Sequence, residues 1–305
     1  MYKILLGGAK MSFRSLKGYL FAVLSAVIYG SMPLMAKYIY ADGVSPFTLV
    51  FLRNLFSLIP LAVLAYREAG SLKLSAKLMP RVALISLFGC SCTPLLLFSS
   101  YRFIASGTAT VFHFAYPAIV VAAEMLFMKK KARLFNLLSV IVCVAGVSMF
   151  YTPGEAFNLT GASLALLSAV TFAVYVILLS HFDSGKVGIF LFSFYVALIS
   201  SFITLFACLV TNSLSLPSSP SVWALCIVFS LLVTTGAVVL FQKSTFLIGG
   251  ECASILSTLE PITSVIIGIV AFGEPLGARV VLGTLLVVSA SIMCAVFNIV
   301  KDKKA

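Results

Sequence analysis

The chain is a succession of long apolar runs separated by short breaks at glycine, proline, asparagine and charged residues. Each run holds about 20 residues, which is the length that an α-helix needs to cross the hydrocarbon core of a bilayer. The runs are continuous and do not alternate, so they favour helices over barrel strands, because a helix satisfies its own backbone hydrogen bonds in lipid. Ten runs are predicted, at about 17–39, 46–66, 80–101, 106–127, 133–151, 160–181, 188–211, 221–242, 252–272 and 279–299.

Composition agrees with an all-α integral membrane protein. The 305 residues are 61% hydrophobic and 10% charged, with a mean hydropathy of +1.15. Soluble domains are about a quarter charged, so a water-soluble globule is excluded. The net charge of +12 would suggest nucleic acid in a soluble protein. In a membrane protein its first cause is the enrichment of lysine and arginine in cytoplasmic loops, so the lipid bilayer is the predicted partner and nucleic acid is not.

The basic residues gather on one side of this arrangement. With the N-terminus inside, the cytoplasmic side holds Lys3, Lys10, Arg14, Lys17, Arg67, Lys73, Lys77, Arg81, Lys129, Lys130, Lys131, Arg133, Lys186, Lys243, Lys301, Lys303 and Lys304. The outer side holds only Lys37, Arg102 and Arg279, and Arg53 lies within a span. This asymmetry predicts a multi-pass cell-membrane protein with both termini cytoplasmic. Residues 1–16 then form an N-terminal cytoplasmic segment and residues 300–305 a cytoplasmic tail.

The two halves of the chain contain matching positions. At a constant offset, Leu24-Ser25-Ala26-Val27 in the first span equals Leu167-Ser168-Ala169-Val170 in the sixth. The fourth and ninth spans share an alanine and a proline at the same spacing, which pairs Ala109 with Ala253, Pro117 with Pro261, His113 with Ser257 and Tyr116 with Glu260. Each half holds five spans, an odd number, so halves of the same fold must have opposite orientations. The sequence therefore predicts two inverted five-helix repeats, residues 17–151 and 160–299, with a chance match between apolar helices as the alternative.

Several short motifs then resemble a known family. The motif residues are Tyr29, Gly30, Ser31 and Lys37 in the first span, Leu52 and Arg53 in the second, and Leu259, Glu260, Pro261, Phe272, Gly273, Glu274 and Pro275 in and after the ninth. In order and spacing they resemble the signatures of the drug/metabolite transporter superfamily, in its ten-helix branch of two EamA-type repeats. Tyr29 replaces the family's tryptophan, Tyr116 replaces the glutamate of the first-half motif, and Lys129 and Lys130 stand where the family often has Gly-Glu.

The resemblance implies a secondary transporter that works by alternating access. It further implies a small-molecule substrate of the amino acid or organic amine class, often carried outward, so export is the expected direction. Because this family carries the Glu-Pro pair across many substrates, a structural or gating role for Glu260 is favoured over substrate choice.

Four ionisable residues lie within the predicted spans: Arg53, His113, Glu124 and Glu260. A charge at mid-bilayer costs about 2.5–3.5 kcal/mol on insertion scales, so such groups usually face a bundle interior or a cavity. Arg53 is a candidate for a substrate carboxylate or for an interhelical anchor. His113 is a candidate for substrate binding or proton relay, or for a neutral histidine bonded to another helix. Glu260 is a candidate for binding an amine or a proton, or for pairing with Arg53 or another donor.

Further candidates are weaker. Tyr29, Tyr116, Tyr175 and Ser257 are predicted to contribute to a substrate or proton pathway, and Pro117 and Pro261 to act as hinges, because proline frees carbonyls at midspan. Glu124, near the end of its span, is assigned a structural role with Lys129. Tyr101 and Tyr195 are assigned to the interfacial aromatic belts. No catalytic residue, metal site or cofactor is predicted.

Two alternatives belong to other functional classes. A multispan membrane enzyme would need paired carboxylates, an HExxH motif or a metal cluster, and the chain has nine acidic residues and two distant histidines. A channel or lipid scramblase would give downhill flux without saturation or counter-transport. The sequence leaves open the substrate, the direction, coupling to protons, a homodimer, and a start at Met1 or Met11.

Overall fold

The computed structural model describes residues 13–104, 106–128, 134–149, 158–182, 187–272 and 277–302. Within these ranges the chain is helical, with no β-strand. A helix interrupted along its length carries one number for its parts. The helices are α1a Phe13–Gly30, α1b Met32–Ala41, α2 Pro46–Ala69, α3a Met79–Ile85, a π segment Ser86–Cys92, α3b Thr93–Ser100, α4a Ser106–His113, α4b Tyr116–Met128, α5 Leu134–Ser148, α6 Leu159–Ser180, α7 Ile189–Val210, α8a Pro220–Phe229, a π segment Ser230–Val238, α8b Val239–Ile248, α9a Gly250–Leu256, a 3-10 turn Ser257–Leu259, α9b Glu260–Phe272 and α10 Ala278–Asp302.

The described helices confirm an all-α membrane architecture. Six are long and apolar enough to cross a bilayer: Ser15–Ala41, Pro46–Ala69, Met79–Ser100, Leu159–Ser180, Ile189–Val210 and Pro220–Ile248. Large apolar side chains such as Ile59, Phe206 and Val270 are 76%, 68% and 81% exposed. A soluble protein rarely leaves so much apolar surface in water, whereas lipid tails accept it.

The polar breaks between apolar runs become helix caps. Ser45 precedes α2, and its side chain accepts a hydrogen bond from the Thr48 amide at 3.1 Å. Asn158 does the same for α6, with the Gly161 amide at 3.0 Å. Helix α2 ends at Gly70 in the left-handed conformation, which glycine adopts without steric cost. These caps satisfy backbone groups that a helix end leaves unpaired.

Helices α4 and α9 are interrupted at equivalent points inside single predicted runs, next to the two prolines that the sequence singled out as hinges. Part α4a ends at His113, and α9a gives way to a 3-10 turn at Ser257. Each second part starts one residue before a matched proline, Pro117 or Pro261. Proline lacks an amide hydrogen and clashes with the carbonyl four residues earlier, which belongs to His113 or Ser257, so the regular ladder stops at these positions.

Helix α8 differs from the prediction in its hydrogen bonding and in its end point, and α3 shares the first of these differences. Both α3 and α8 contain a π segment, starting at the equivalent positions Ser86 and Ser230, and hydrophobic patterning carries no signal for such a change of hydrogen bonding. Helix α8 also continues to Ile248. Lys243, predicted in a cytoplasmic loop, therefore lies in a helix. Its ammonium is 4.6 Å from the centre of the Phe190 ring, a cation–π contact that lets a lysine sit on an apolar surface.

The helices pack in matched pairs across the two halves. Helix α2 packs against α7, and α5 packs against α10. Helix α1a packs against α8b and α9, just as α6 packs against α3b and α4. Two matched glycines make equivalent contacts. A Cβ atom on Gly18 would lie 2.5 Å from Ile248, and one on Gly161 would lie 2.8 Å from Ile104. The same positions of both repeats thus require glycine for close helix approach.

A polar tether joins the α1–α2 connection to the start of α8. Asp42 accepts hydrogen bonds from the Ser218 hydroxyl and the Ser218 amide, both at 2.7 Å. These two bonds, the hydroxyl first, hold the pKa of the Asp42 carboxyl below its ordinary range, because they stabilise the ionised form. The tether is therefore present when Asp42 is ionised.

This geometry predicts a pH-dependent contribution to stability. Because the pKa of Asp42 is lowered on folding, its contribution is present above the ordinary aspartate pKa and is lost as the pH falls through the lowered one. We expect Asp42→Asn to lower the thermal unfolding midpoint slightly at neutral pH, and the difference from wild type to vanish in acid. Unfolding in detergent across a pH series measures this. A difference that persists unchanged in acid would contradict the assignment.

Candidate functional site

A cavity lies where helices α1, α2, α3, α4, α6, α8 and α9 meet. It is lined by Tyr29, Met32, Arg53, Gly89, Thr93, Pro94, Leu97, Phe98, His113, Tyr116, Phe172, Phe241, Ser257 and Glu260. The free volume of this cavity is about 50 Å³. At about 10–15 Å³ per water, the free interior holds a few waters in this conformation.

Arg53 brings a cation to the cavity from the first third of α2. Its residue is 4% exposed, and its Nε is buried without a hydrogen-bond partner among the described residues. The backbone is held in place, since the Ser230 hydroxyl donates to the Arg53 carbonyl at 2.5 Å. Removing an ion from water costs several kcal/mol unless it is paired. At Nε this cost is not offset by a hydrogen bond to any described residue.

Glu260 contributes the carboxylate of the cavity. It is the first residue of α9b, where the helix dipole favours a negative charge. In the described part of the chain, no ion pair within 4 Å joins it to Arg53, although both line the same cavity. Helix α1 reaches this point through Gly30. A Cβ atom there would lie 2.5 Å from the Thr263 Cβ and 2.8 Å from the Glu260 carbonyl oxygen.

His113 is held in one tautomer by α6. Its Nδ1 lies 2.9 Å from the Ser168 hydroxyl, and His113 is 8% exposed. The single hydroxyl hydrogen of Ser168 is donated to the Ala165 carbonyl at 2.6 Å, so the hydroxyl accepts from Nδ1–H. In the neutral ring Nε2 then carries the lone pair. The histidine is thus bonded to another helix and also lines the cavity, so the two alternatives considered from the sequence are compatible.

Tyr116 and Ser257 join the two interrupted helices. The Tyr116 hydroxyl hydrogen-bonds the Ser257 hydroxyl and also donates to the Ser254 carbonyl at 3.3 Å. Tyr116 is the repeat counterpart of Glu260, and Ser257 is the repeat counterpart of His113. Two of the pairs matched by the internal repeat therefore meet at one cavity.

Aromatic rings close one side of the cavity. Phe172 packs against Tyr116 with ring centres 4.6 Å apart and against Phe241 at 5.5 Å. Tyr175, predicted to lie on the pathway, does not line the cavity. It is 2% exposed behind Phe172, with its ring over Gly89, where a Cβ atom would overlap it.

The other sequence candidates lie elsewhere. Glu124 is 1% exposed in α4b, while Lys129 lies outside the described residues. Tyr101 is at the end of α3b, and the Tyr195 hydroxyl donates to the Leu72 carbonyl at 2.8 Å. The lining residues that sequence reasoning missed are small or apolar: Met32, Gly89, Thr93, Pro94, Leu97, Phe98, Phe172 and Phe241. Only Phe172, the repeat counterpart of Tyr29, had a signal that could have found it.

Comparison with known proteins identifies the family. The model of the EamA-like transporter family matches residues 16–152 and 159–296. An "Uncharacterized transporter" of Clostridium kluyveri is 24% identical over 315 residues, covering 95% of each chain. An "Uncharacterized inner membrane transporter YicL" of Salmonella typhimurium is 26% identical over 303 residues, covering 91% of this chain and 94% of the relative.

A solved structure described as "Crystal structure of protein" has a TM-score of 0.75 and 16% identity, covering 90% of this chain and 95% of the other. At this identity the similarity shows the fold alone. The family model covers both halves of the chain, which confirms the family predicted from the motifs. The protein is therefore a multi-pass membrane protein with two repeats, and it belongs to the EamA-like transporter family.

Proposed function

We propose that the chain is a ten-span secondary transporter that exports an amino acid or organic amine by alternating access. The one observation that carries the substrate class is a cavity lined by both Arg53 and Glu260, where the Arg53 Nε has no hydrogen-bond partner among the described residues. A zwitterionic amino acid complements both groups at once, because the Arg53 guanidinium can donate two parallel hydrogen bonds to its carboxylate and the Glu260 carboxylate can accept from its ammonium. The aromatic and aliphatic lining suits an apolar side chain.

The proposed architecture is two inverted five-helix repeats with both termini in the cytoplasm. It is supported by the matched packing of α2 with α7 and α5 with α10, and by the equivalent contacts of Gly18 and Gly161. The interrupted helices α4 and α9 contribute polar groups at midspan, as expected for the substrate site of such a carrier. The proposal that both termini are cytoplasmic is based on the distribution of lysine and arginine.

Export and proton coupling complete the proposal. Export rests on the family resemblance of the sequence motifs. Proton coupling rests on His113 and Glu260, two titratable side chains on the same cavity. Either one can take up a proton when the cavity faces one side of the membrane and release it on the other.

Flux into proteoliposomes tests the function. Radiolabelled amino acids and amines are offered with and without a pH gradient, and empty liposomes serve as the control. We expect saturable flux that rises when unlabelled substrate is preloaded on the opposite side. Flux that grows linearly with concentration and ignores preloading would indicate a channel. Flux at the empty-liposome level for every compound, with folded protein, would contradict the amino acid and amine class.

A further inference from the structure

The repeat relates the residues on two sides of the cavity. The alignment that matches Gly18 with Gly161 pairs Tyr29 and Met32 of α1 with Phe172 and Tyr175 of α6. The alignment that matches Ser86 with Ser230 pairs Leu97 and Phe98 of α3b with Phe241 and Gln242 of α8b. This second alignment also pairs Ile104 with Ile248, the two residues that contact the matched glycines. We call Tyr29, Met32, Leu97 and Phe98 the α1–α3 set, and Phe172, Tyr175, Phe241 and Gln242 the α6–α8 set.

The two equivalent sets contribute unequally to the lining of the cavity. All four members of the α1–α3 set line it, but only Phe172 and Phe241 of the α6–α8 set do. Tyr175 and Gln242 lie behind the rings and are 2% and 0% exposed. The rings of Phe172, Tyr175 and Phe241 are in mutual contact, with centres 5.3–6.2 Å apart. The cavity is thus displaced toward the α1–α3 set, and the α6–α8 set is closed.

Gln242, in the closed set, has an amide nitrogen without a well-formed hydrogen bond to any described residue. Its Oε1 accepts from the Ser193 hydroxyl at 2.6 Å, and its side chain is within reach of the Tyr175 hydroxyl. Its Nε2 is buried and makes no well-formed hydrogen bond among the described residues, although the Tyr175 hydroxyl is within reach. A buried donor whose hydrogen bond is poorly formed retains part of the cost of its desolvation. A state in which this nitrogen meets an acceptor relieves that cost.

In a carrier of inverted repeats, the opposite-facing state arises when the two halves exchange conformations. We propose that the α6–α8 set is the second gate of the transport cycle. When it opens, Tyr175 and Gln242 line the cavity and Gln242 Nε2 donates to the substrate carboxylate, while Met32 and Phe98 pack behind the closed α1–α3 set. This inference rests on the proposed transport function, to which it adds the residues of the second gate and a polar contact present in one state only.

Labelling of introduced cysteines from each face of the membrane tests the two gates. Met32→Cys, Gln242→Cys and the control Val239→Cys are made in the full chain. Val239 lies on the same helix as Gln242, is 3% exposed and packs with Leu61 and Ala197 away from the cavity. A charged, membrane-impermeant methanethiosulfonate is added to right-side-out or inside-out vesicles. Mass spectrometry then measures modification at each introduced cysteine separately from the native ones.

We expect Met32→Cys to react at least tenfold faster from the outer face, where α1 ends in the proposed topology. We expect Gln242→Cys to react at least tenfold faster from the cytoplasmic face, where α8 ends. Val239→Cys should stay protected from both faces. Protection of Gln242→Cys from both faces, or its modification from the same face as Met32→Cys, overturns the second gate.

Two further measurements keep the result interpretable. Tyr175→Cys is a second position in the same set with the same expectation as Gln242→Cys, and it replaces that variant if gel filtration shows that it is misfolded. The wild-type flux panel is run in parallel. Face-specific labelling without amino acid flux keeps the gates and refutes the substrate class, whereas saturable flux with Gln242→Cys and Tyr175→Cys both protected refutes the second gate alone.

Discussion

Arg53→Gln is expected to lower kcat/KM for zwitterionic amino acids by about 30-fold or more while sparing decarboxylated amines. The variant removes the only cation that lines the cavity among the described residues. Loss of one partner from a buried charge pair costs about 2–5 kcal/mol, and each 1.4 kcal/mol is a tenfold change. An amine has no carboxylate for Arg53 to bind, so its transport should change little. Concentration-dependent proteoliposome flux for an amino acid and its matching amine measures both effects.

Glu260→Gln is the complementary change and is expected to reduce transport of both compounds. Both carry the ammonium that the Glu260 carboxylate is proposed to accept. The controls are Arg102→Gln, in an exposed connection, and Glu251→Gln, nine positions before Glu260 and outside the cavity lining. Both should transport like wild type. Equal losses for amino acid and amine in Arg53→Gln would contradict the carboxylate assignment and favour an interhelical anchor.

Gly30→Ala is expected to lower the free energy of unfolding by about 1–3 kcal/mol, the usual cost of forcing extra volume into a packed interior. The added methyl group would meet the Thr263 Cβ at 2.5 Å and the Glu260 carbonyl oxygen at 2.8 Å. The second contact is with backbone, which cannot swing aside as a side chain can. Relief therefore requires α1 and α9b to separate, which also displaces Glu260. The thermal unfolding midpoint in detergent measures the loss of stability.

Gly236→Ala is the matched control. A methyl group there would have ordinary contacts, with the Leu231 carbonyl oxygen at 3.4 Å and Ile28 at 3.6 Å. Replacing a helical glycine by alanine is by itself favourable by about 0.5–1 kcal/mol, so this variant should be as stable as wild type or more so. Equal stability of Gly30→Ala and wild type would show that α1 and α9b tolerate the added volume.

Much of the fold follows from the sequence, because lipid makes strong demands on a chain. Apolar runs, capping residues such as Ser45 and Asn158, and the matched prolines all carry a direct physical signal. The end of α8 does not, because Lys243 was read as a loop charge. A lysine whose ammonium lies over aromatic rings is compatible with a helix, and no linear pattern reveals those rings. The sequence pattern does not indicate the π segments either, because they change hydrogen bonding and leave composition unaltered.

The ionisable residues of the candidate site were predictable from the sequence, whereas its apolar residues were not. Arg53, His113 and Glu260 stand out in any membrane span, because a charge or imidazole there requires a reason. Leu97 and Phe98 look like any other membrane residues, and only the packing of α3b shows that they line the cavity. Tyr175 was assigned to the pathway by its type, but the displacement of the cavity toward the α1–α3 set leaves it behind Phe172.

The different residues at the equivalent positions Tyr116 and Glu260 have an electrical consequence. Had both repeats kept a glutamate, the cavity would hold two carboxylates against one guanidinium. When the one carboxylate, of Glu260, and the one guanidinium, of Arg53, are both ionised, the charges of the cavity sum to zero, and a bound zwitterion leaves that sum unchanged. Moving one net charge across the membrane potential costs or yields about 2.3 kcal/mol per 100 mV. In the proposed cycle, a carrier loaded with a zwitterion alone therefore changes state without that electrical work, whereas each proton carried with it makes the step sensitive to the membrane voltage.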